Sequence, residues 1–508
     1  MAIEPAVVAE PETWERPVDR TYGNWRKPIS PGIGNLGLAG TVILLGGIML
    51  IVIAAVVSII AGLVVALLVA AALALLFFKD QHGRTILQRI VARVAWEQGR
   101  SRGQHVYRSG PLSITGMGTF RLPGLAAVMT VHEATDGHGR PFGLIEVPSA
   151  GHFTAVFECA ADGASLVDTG QVDVWVAYWG AWLASIAHEP GVVAVAVSVE
   201  TAPDPGTRLV RAVGTHIRPE SPPIARQVLE QVARQYPPGS AQITARVSVT
   251  YSAVPRAGVR RRDPDAMATE IGSRLPGLSA RLAMTGAGDA RPMTEQHLAE
   301  MVRMAYDPSM HSLIEASRTS GGSGLKWPDA GPVMAQESIA DYRHDSAASI
   351  TWGMSEAPRG EVLSSVLAGL LAPHRDITRK RVTIMYRAHD PAWAARIVER
   401  DRRTAIFRLG GNKPAARDVA HAAAAEQAAR EEAKGAGLVR FAMLVTATVE
   451  SVADLPTAAA AIDVLAAPAR IQLRRMYGSQ ATAFAAGLPI GIVLPDHLMV
   501  PQFIRDAA

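Results

Sequence analysis

Between Lys27 and Lys79 the chain carries no Asp, Glu, Lys or Arg, and from Thr41 to Phe78 the only polar side chains are Thr41 and Ser58. A bilayer core of about 30 Å takes about 20 apolar residues per helix. A single helix over 36–78 would be about 64 Å long at 1.5 Å per residue, roughly twice too long. The pattern therefore predicts two spans, 36–53 and 57–78, joined by a tight turn at 54–56. Arg16, Arg20, Arg26 and Lys27 precede the pair, and Lys79, Arg84, Arg89 and Arg93 follow it. Basic flanks stay on the cytoplasmic side, so the expectation is a hairpin in the inner (plasma) membrane with both ends inside. Gly40, Gly46, Gly47, Gly62, Ala66 and Ala70 allow close helix approach. With no ionisable residue inside the spans, nothing points to an ion path or proton relay.

Beyond the pair the periodicity changes. Residues 79–103 read as a continuing helix with Ile86, Leu87, Ile90, Val91 and Val94 on one face and Arg84, Arg89, Arg93 and Arg100 on the others. Such a helix lies on the membrane surface or stands off it as a stalk. Two-residue alternation predicts strands at 127–132, 142–147 and 152–159. Trp175, Trp179, Trp182, Leu183 and Ile186 fall at helical spacing and read as core rather than a ligand cage. A strand at 191–200 is expected to pair with 209–217, followed by a helix at 224–236 and a strand at 242–251. The order strand 242–251, helix 264–274, strand 279–285, helix 294–304 then recurs as strand 438–449, helix 454–466, strand 470–477, helix 479–486. The repeat is one of pattern, not identity. Strands at 348–354 and 381–387 enclose a helix at 362–371. The Gly/Ser/Pro-rich stretch 307–340 reads as a flexible loop or boundary, and the Ala-rich, charged stretch 413–437 as a projecting helical arm.

The fold class expected is α+β. It divides into a cytosolic tail (1–30), a transmembrane hairpin (31–78), a basic juxtamembrane helix (79–103) and two cytosolic α+β subdomains (104–310 and 311–508), the second carrying the arm. The net charge is only +4, and the basic excess beside the spans is accounted for by anionic lipid, at about 1 kcal/mol per Lys or Arg. Cys159 is the single cysteine, which excludes an intramolecular disulfide or a multi-cysteine zinc site and suits a reducing cytoplasm.

The search for chemistry finds no reactive constellation. A phosphate-cradling loop needs G-x-x-x-x-G-K-[ST]. The nearest approach, Gly321-Gly-Ser-Gly324-Leu-Lys326 before Trp327, has the wrong spacing. No G-x-G-x-x-G follows a strand, and neither G-x-S-x-G nor H-E-x-x-H occurs. His132, Glu133, Asp136 and His138 straddle an expected hairpin turn, with His132 and Glu133 on opposite faces, and read as a solvated turn rather than a metal site. Arg260–Arg262 and Arg379–Arg381 read as solvated basic faces, with nucleic-acid contact left open. Ser355–Gly360 reads as a turn with a charged pair. No catalytic, cofactor or metal residue is assigned. The segment Arg20-Thr-Tyr22-Gly-Asn-Trp25-Arg26-Lys27-Pro28 holds Tyr22, Trp25 and Arg26 just before the first span. It is either an interfacial belt or a segment that docks a partner, and these three residues are the candidate partner contacts.

The same segment, with the glycine-rich stretch 32–40 and the two-span hairpin, resembles the small PrgI-like inner-membrane component of type IV secretion and conjugation systems. The remainder is similar in layout to the amino-terminal, non-motor domain of the secretion ATPase that works with that component. The likeness lies in the α+β arrangement, the arm at 413–437 and the closing run Gln480-Ala-Thr-Ala-Phe484-Ala-Ala-Gly487-Leu-Pro489-Ile-Gly491. In those ATPases a similar Phe-x-x-x-Leu-Pro run leads into the motor domain. Such fusions resemble proteins encoded by actinobacterial conjugative elements beside a separate ATPase. The resemblance implies a non-catalytic membrane scaffold that forms a ring of copies and docks a separate secretion ATPase and other secretion subunits. No Walker motif is present, so no nucleotide cofactor is carried over. Type VII secretion, which also uses two-span membrane proteins with large cytosolic domains, is the alternative machine. A membrane-tethered enzyme acting on lipid-linked substrate near 84–102 is the remaining alternative.

Overall fold

The computed structural model describes residues 20–25 and 37–498, except 24, 79, 111–112, 114–119, 162, 164–165, 205–212, 215–216, 219, 236–240, 255–259, 359, 390, 410–415, 434 and 436. The expected tail over 1–19, Arg26 and most of the strand expected at 209–217 lie outside the described residues. The apolar stretch forms two helices, α1 (Gly37–Val57) and α2 (Ile59–Phe77). Both are long and apolar enough to cross a membrane. The break falls at Ser58, not at 54–56. Nothing in Ala54-Ala-Val-Val interrupts a helix, whereas Ser58 adopts an extended backbone (φ −164°, ψ 136°). The two helices pack side by side. Gly47 faces Val69, equidistant in sequence from Ser58, and a Cβ on Gly62 would lie 3.0 Å from the Ala55 Cα. Their remaining apolar side chains are exposed (Val56 83%, Ile59 78%), which separates them from the core helices of a soluble fold.

The continuous helix expected over 79–103 is instead a turn followed by α3 (Ile86–Ser101). The Asp80 carboxylate accepts from the backbone N–H of His82 (2.9 Å) and Arg84 (2.8 Å). Thr85 and Gln88 then close a reciprocal capping box that starts the helix afresh.

The rest of the chain builds one thirteen-stranded sheet. In chain order come β1 (Val106–Arg108), β2 (Thr130–Thr135), β3 (Pro141–Val147), β4 (His152–Ala160), α4 (Thr169–His188), β5 (Val192–Pro203), α5 (Pro223–Gln235) and β6 (Ala241–Ser252). Next are α6 (Pro264–Leu282), β7 (Asp289–Pro292), α7 (Glu295–Tyr306), α8 (His311–Ser317), β8 (Met334–Glu337), β9 (Tyr342–His344) and β10 (Ala347–Glu356). The last are α9 (Ala368–Leu371), β11 (Arg379–Ala388), α10 (Pro391–Leu409), α11 (Ala416–Ala433), β12 (Val439–Val449), α12 (Leu455–Ala466), β13 (Gln472–Arg475) and α13 (Gln480–Ala486).

The spatial order is β1-β8-β9-β10-β12-β11-β5-β6-β4-β3-β2, with β7 beside β4 and β13 beside β10. Apart from β1 it is a palindrome. The half β2–β6 and the half β8–β12 share one internal order and meet at the antiparallel pair β5–β11, where Ser198 lies opposite Thr383. The repeated unit is thus placed at equivalent positions, as β6-α6-β7-α7 and β12-α12-β13-α13, and a pseudo-twofold relation runs through the β5–β11 seam.

Several local expectations change. Residues 279–285 are not a strand: α6 runs through Pro276 to Leu282 and ends in a π turn, because Leu275, Leu278 and Leu282 keep the helical stripe buried. The strand follows at Asp289–Pro292. Of the helix expected at 362–371 only α9 forms. Strand β5 has both edges occupied, by β6 and β11. The arm is a helical hairpin, α10 packed on α11, inserted between β11 and β12. Its first helix went unrecognised.

One sheet face is covered by α6 over the first half and α12 over the second. Leu144, Phe157, Val249, Ile271 and Leu275 form one core, and Ile350, Val445, Leu455 and Ile462 the other. The opposite face is held by α7, α13 and the segment 487–493, with Val302, Tyr306, Phe484 and Ile490 at its core. This segment is a strap across both halves. Gln480 exchanges hydrogen bonds with the Thr351 backbone on β10. The Gly487 carbonyl accepts from Thr383 on β11 (2.6 Å). Gly491 sits on Thr154 of β4. A Cβ at Gly491 would fall 1.9 Å from the Thr154 hydroxyl oxygen, at a backbone φ of +82°. Gly491→Ala is expected to cost at least about 2 kcal/mol, read as a lowered midpoint in denaturant. A midpoint equal to the parent's would remove the strap from the account of stability.

Candidate functional site

A deeply buried grouping of charge lies on the strap side of the β5–β11 seam. Alternation along Val195-Ala-Val-Ser198-Val-Glu200 sends the valines to the helix-covered face and Ser198 and Glu200 to the strap face. Glu200 lies opposite Arg381 in the ladder. Its carboxylate accepts from Arg379 Nη1 (2.9 Å) and, more distantly, from Arg246 Nη1 (3.5 Å). Arg246 Nη2 also reaches Glu158 (3.4 Å). All but Glu158 are buried. Arg381 is the deepest. Its guanidinium lies 5.1 Å from the Phe484 ring centroid, and no acceptor among the described residues is within hydrogen-bonding reach of Nε, Nη1 or Nη2. Burial by itself would raise the Glu200 pKa; Arg379, then Arg381 and Arg246, outweigh it and hold the carboxyl at about 2. The expectation of a solvated basic face at Arg379–Arg381 is therefore overturned. The run sits inside a central strand, where the Arg379 and Arg381 charges face Glu200 and Lys380, on the other face, donates to the Ala372 carbonyl.

Hydroxyls continue this polar face outward in matching pairs, Thr154 with Thr250 (3.0 Å) in one half and Ser349 with Thr448 (2.7 Å) in the other. His344 joins the second pair. Its Nδ1 bonds the Tyr306 carbonyl (2.6 Å), so Nδ1 carries the proton and Nε2 accepts from Ser349 (2.8 Å). Burial, first of all, lowers the His344 pKa to about 4, and likewise that of His311 on α8. Near α7, Glu300 is fully buried and accepts from Gln296, Ser323 and Arg318 (2.8, 2.6 and 2.7 Å). The glycine stretch 321–324, expected to be a flexible loop, is thus pinned to α7 through Ser323.

These groups are acids, bases and hydroxyls facing one another under a roof of side chains, with the Ser349 hydroxyl beside His344 fully buried and Arg381 capped by an aromatic ring. The arrangement neutralises and positions; it does not present a reacting atom to solvent. His132 pairs with Glu146 (2.9 Å) and Asp136 with Arg140 (2.8 Å), so the four residues 132–138 do not converge. No cluster able to hold a metal occurs among the described residues. Arg260, Arg261 and Arg262 line an open cleft of about 610 Å³ with Glu146 and Asp263, and Arg261 and Arg262 are already paired with Glu146 and Glu270.

Tyr22 and Trp25 lie against the chain's own body. Tyr22 forms an antiparallel bridge with Val362 and donates its hydroxyl to Asp173 (2.7 Å) on α4. Trp25 meets Phe441 of β12 edge to face, with ring centroids 6.2 Å apart, and remains 38% exposed. On the far side of the helix pair, His82 Nδ1 lies 3.3 Å from the Ser355 hydroxyl at the end of β10. Both flanks of α1–α2 therefore return to the same end of two neighbouring strands, β10 and β12. The arm springs from that end as well, where Ala388 pairs with Val439. Trp393, Ile406 and Phe407 of the arm are exposed.

A family model described as a domain of unknown function (DUF8461) matches residues 29–88, the helix pair with its immediate flanks. None of the curated proteins compared matches the chain.

The buried network missed at the level of sequence had one legible sign, the alternation that aligns Ser198 with Glu200. Glu200→Gln should destabilise the fold by about 3–5 kcal/mol, since it leaves buried guanidinium groups short of counter-charge. The pH dependence follows from direction. His344 and His311 titrate near 4 when folded against 6.5 for a free imidazole. The unfolded chain therefore binds protons that the folded chain does not, and stability falls as pH drops through that window. Glu200 adds to this lower down: its contribution is complete above the unfolded value of 4.5 and is lost as pH falls toward 2. Denaturant midpoints between pH 7 and 3 should decline in both parent and Glu200→Gln, less steeply below pH 4.5 in the variant.

Proposed function

We propose that the chain is a non-catalytic scaffold anchored in the plasma membrane by α1 and α2, with both flanks and the sheet in the cytoplasm. The observation that carries this reading is the common return of both flanks to one end of the sheet, Trp25 on Phe441 and His82 beside Ser355. A hairpin crossing twice satisfies that geometry, and the charge-free spans with basic flanks satisfy the bilayer. The committed ion pairs of the sheet interior support a structural rather than a reactive role.

Within that reading, the likeness of 20–40 to the PrgI-like component and of the sheet region to the non-motor part of its ATPase favours a type IV secretion or conjugation machine. The scaffold docks a separate motor ATPase and assembles as a ring. The exposed Trp393, Ile406 and Phe407 make the α10–α11 arm the preferred contact, since aromatic anchors carry much of the energy of protein interfaces. Tyr22 is engaged within the chain, which leaves Trp25 as the accessible member of the amino-terminal pair.

The test is to solubilise tagged protein from its native membrane and identify what co-purifies. A stoichiometric P-loop ATPase is the expected result, and its identity separates a type IV from a type VII machine. Replacing 391–433 by a short turn should leave the membrane fraction unchanged and lower ATPase recovery several-fold. Recovery of the parent alone, under conditions that preserve other membrane complexes, would sink the scaffold reading.

A further inference from the structure

We infer that α3 is a lipid-surface helix, seated in the headgroup region of an anionic leaflet, and that it fixes how the sheet stands on the membrane. This rests on the reading of α1–α2 as spans. The large apolar side chains of α3 that stand exposed are Ile86, Leu87, Ile90, Val91 and Val94. At about 100° per residue they occupy one continuous arc of about 140°. The opposite side of the helix is the one held by the protein. Ala92, Trp96 and Gly99 are partly buried, and a Cβ on Gly478 would lie 3.6 Å from the Trp96 Cβ and 3.9 Å from the Ala92 carbonyl oxygen. The Trp96 ring meets His105 edge to face. The apolar stripe therefore points directly away from the body.

Two further observations select lipid as the occupant. The first is position. The Ile86 N–H donates to the Phe78 carbonyl (3.3 Å), so α3 begins level with the end of the second span. The turn is held by Asp80, which also pairs with Arg89 (2.9 Å), and this excludes a helix running straight on as a stalk. The second is charge. Arg89, Arg93 and Arg100 border one edge of the apolar arc, there is no acidic residue in the first turn, and the single acid of the helix, Glu97, comes a turn after the last stripe residue, Val94. Long cationic side chains along the edge of an apolar face suit a helix lying in the interface plane, with the arginines reaching phosphate groups. An anionic bilayer is the one partner that offers an apolar layer and a negative layer at that depth.

The experiment uses the full chain with Cys159→Ala, reconstituted in vesicles of phosphatidylcholine with phosphatidylglycerol. Single cysteines, Val91→Cys on the stripe or Ile243→Cys on β6, carry an environment-sensitive fluorophore. The expected result is loss of most iodide quenching at Val91, with strong quenching there by lipids bearing a shallow nitroxide, and neither effect at Ile243. Pyrene at Val91 should show no excimer when the protein is diluted into excess lipid. Quenching by iodide equal at the two sites, or a persistent excimer that marks a second copy as the occupant, would overturn the inference. Leu87→Glu/Val94→Glu, made with the label at position 91, should restore iodide access there. Alkaline extraction of the same vesicles keeps the two readings apart. Protein that resists extraction while Val91 stays in water refutes the role of α3 alone, and protein that is extracted refutes the spans as well.

Discussion

The structure depends on the pairing of β5 with β11. Each half contains five main strands in the same order, and each would end in an exposed central strand if it stood alone. An unpaired strand of that length is a template for association with other chains. Here the two edges cover each other, and Glu200 makes the junction specific, because it sets one buried carboxylate among Arg379, Arg381 and Arg246. Buried ion pairs often add little net stability compared with an apolar replacement. Their removal one partner at a time is nonetheless severe. The seam thus tolerates few single changes, and the strap from Gln480 to Gly491 crosses above it from β10 to β4.

The pseudo-twofold relation also decides where the insertions go. The β5–β6 connection carries α5, and the β11–β12 connection carries the α10–α11 arm. Because β5 and β11 are antiparallel, the two connections leave opposite ends of the sheet. The arm shares its end with the helix pair. At the other end α5 leaves Ile224, Val228, Leu229 and Val232 exposed on one face. Duplication alone would have produced equivalent connections, so the difference between a helical hairpin near α1–α2 and a single amphipathic helix far from it is what breaks the symmetry between the ends.

Much of this was legible in the sequence, for reasons that differ by element. The α1–α2 pair was readable because fifty residues without charge admit few folded solutions; only the break at Ser58 was misplaced, since a run of Ala and Val signals no turn. Strands β3, β4, β6, β10 and β12 were readable from alternation and β-branched content. Helix α10 was missed because Arg396, Glu399, Arg400 and Arg403 leave little apolar periodicity, and its partner α11 has almost none; the two are helical by propensity and by packing on each other. The end of α6 was misread because Pro276 and Gly277 look like breakers, yet Leu275, Leu278 and Leu282 bury deeply enough to carry the helix past them. Arg379–Arg381 was misread for a general reason. Charge density in sequence implies solvent unless a counter-charge is known, and Glu200 lies far away along the chain.

That misreading bears on function. In a sequence, three consecutive cations look like a surface that meets an acidic partner, and in the fold all three are buried, Arg379 and Arg381 on the face of Glu200 and Lys380 on the opposite face. Cations at the periphery flank the apolar stripe of α3, are paired in the Arg260–Arg262 cleft, or pair along the arm, as Arg402 and Arg403 do with Glu399. Exposed apolar surface occurs on the helix pair, the stripe on α3, one face of α5 and the side chains Trp393, Ile406 and Phe407 of the arm. The helix pair and the arm leave the sheet at one end and α5 at the other, and between them the interior holds Glu200 paired with Arg379 and Arg246.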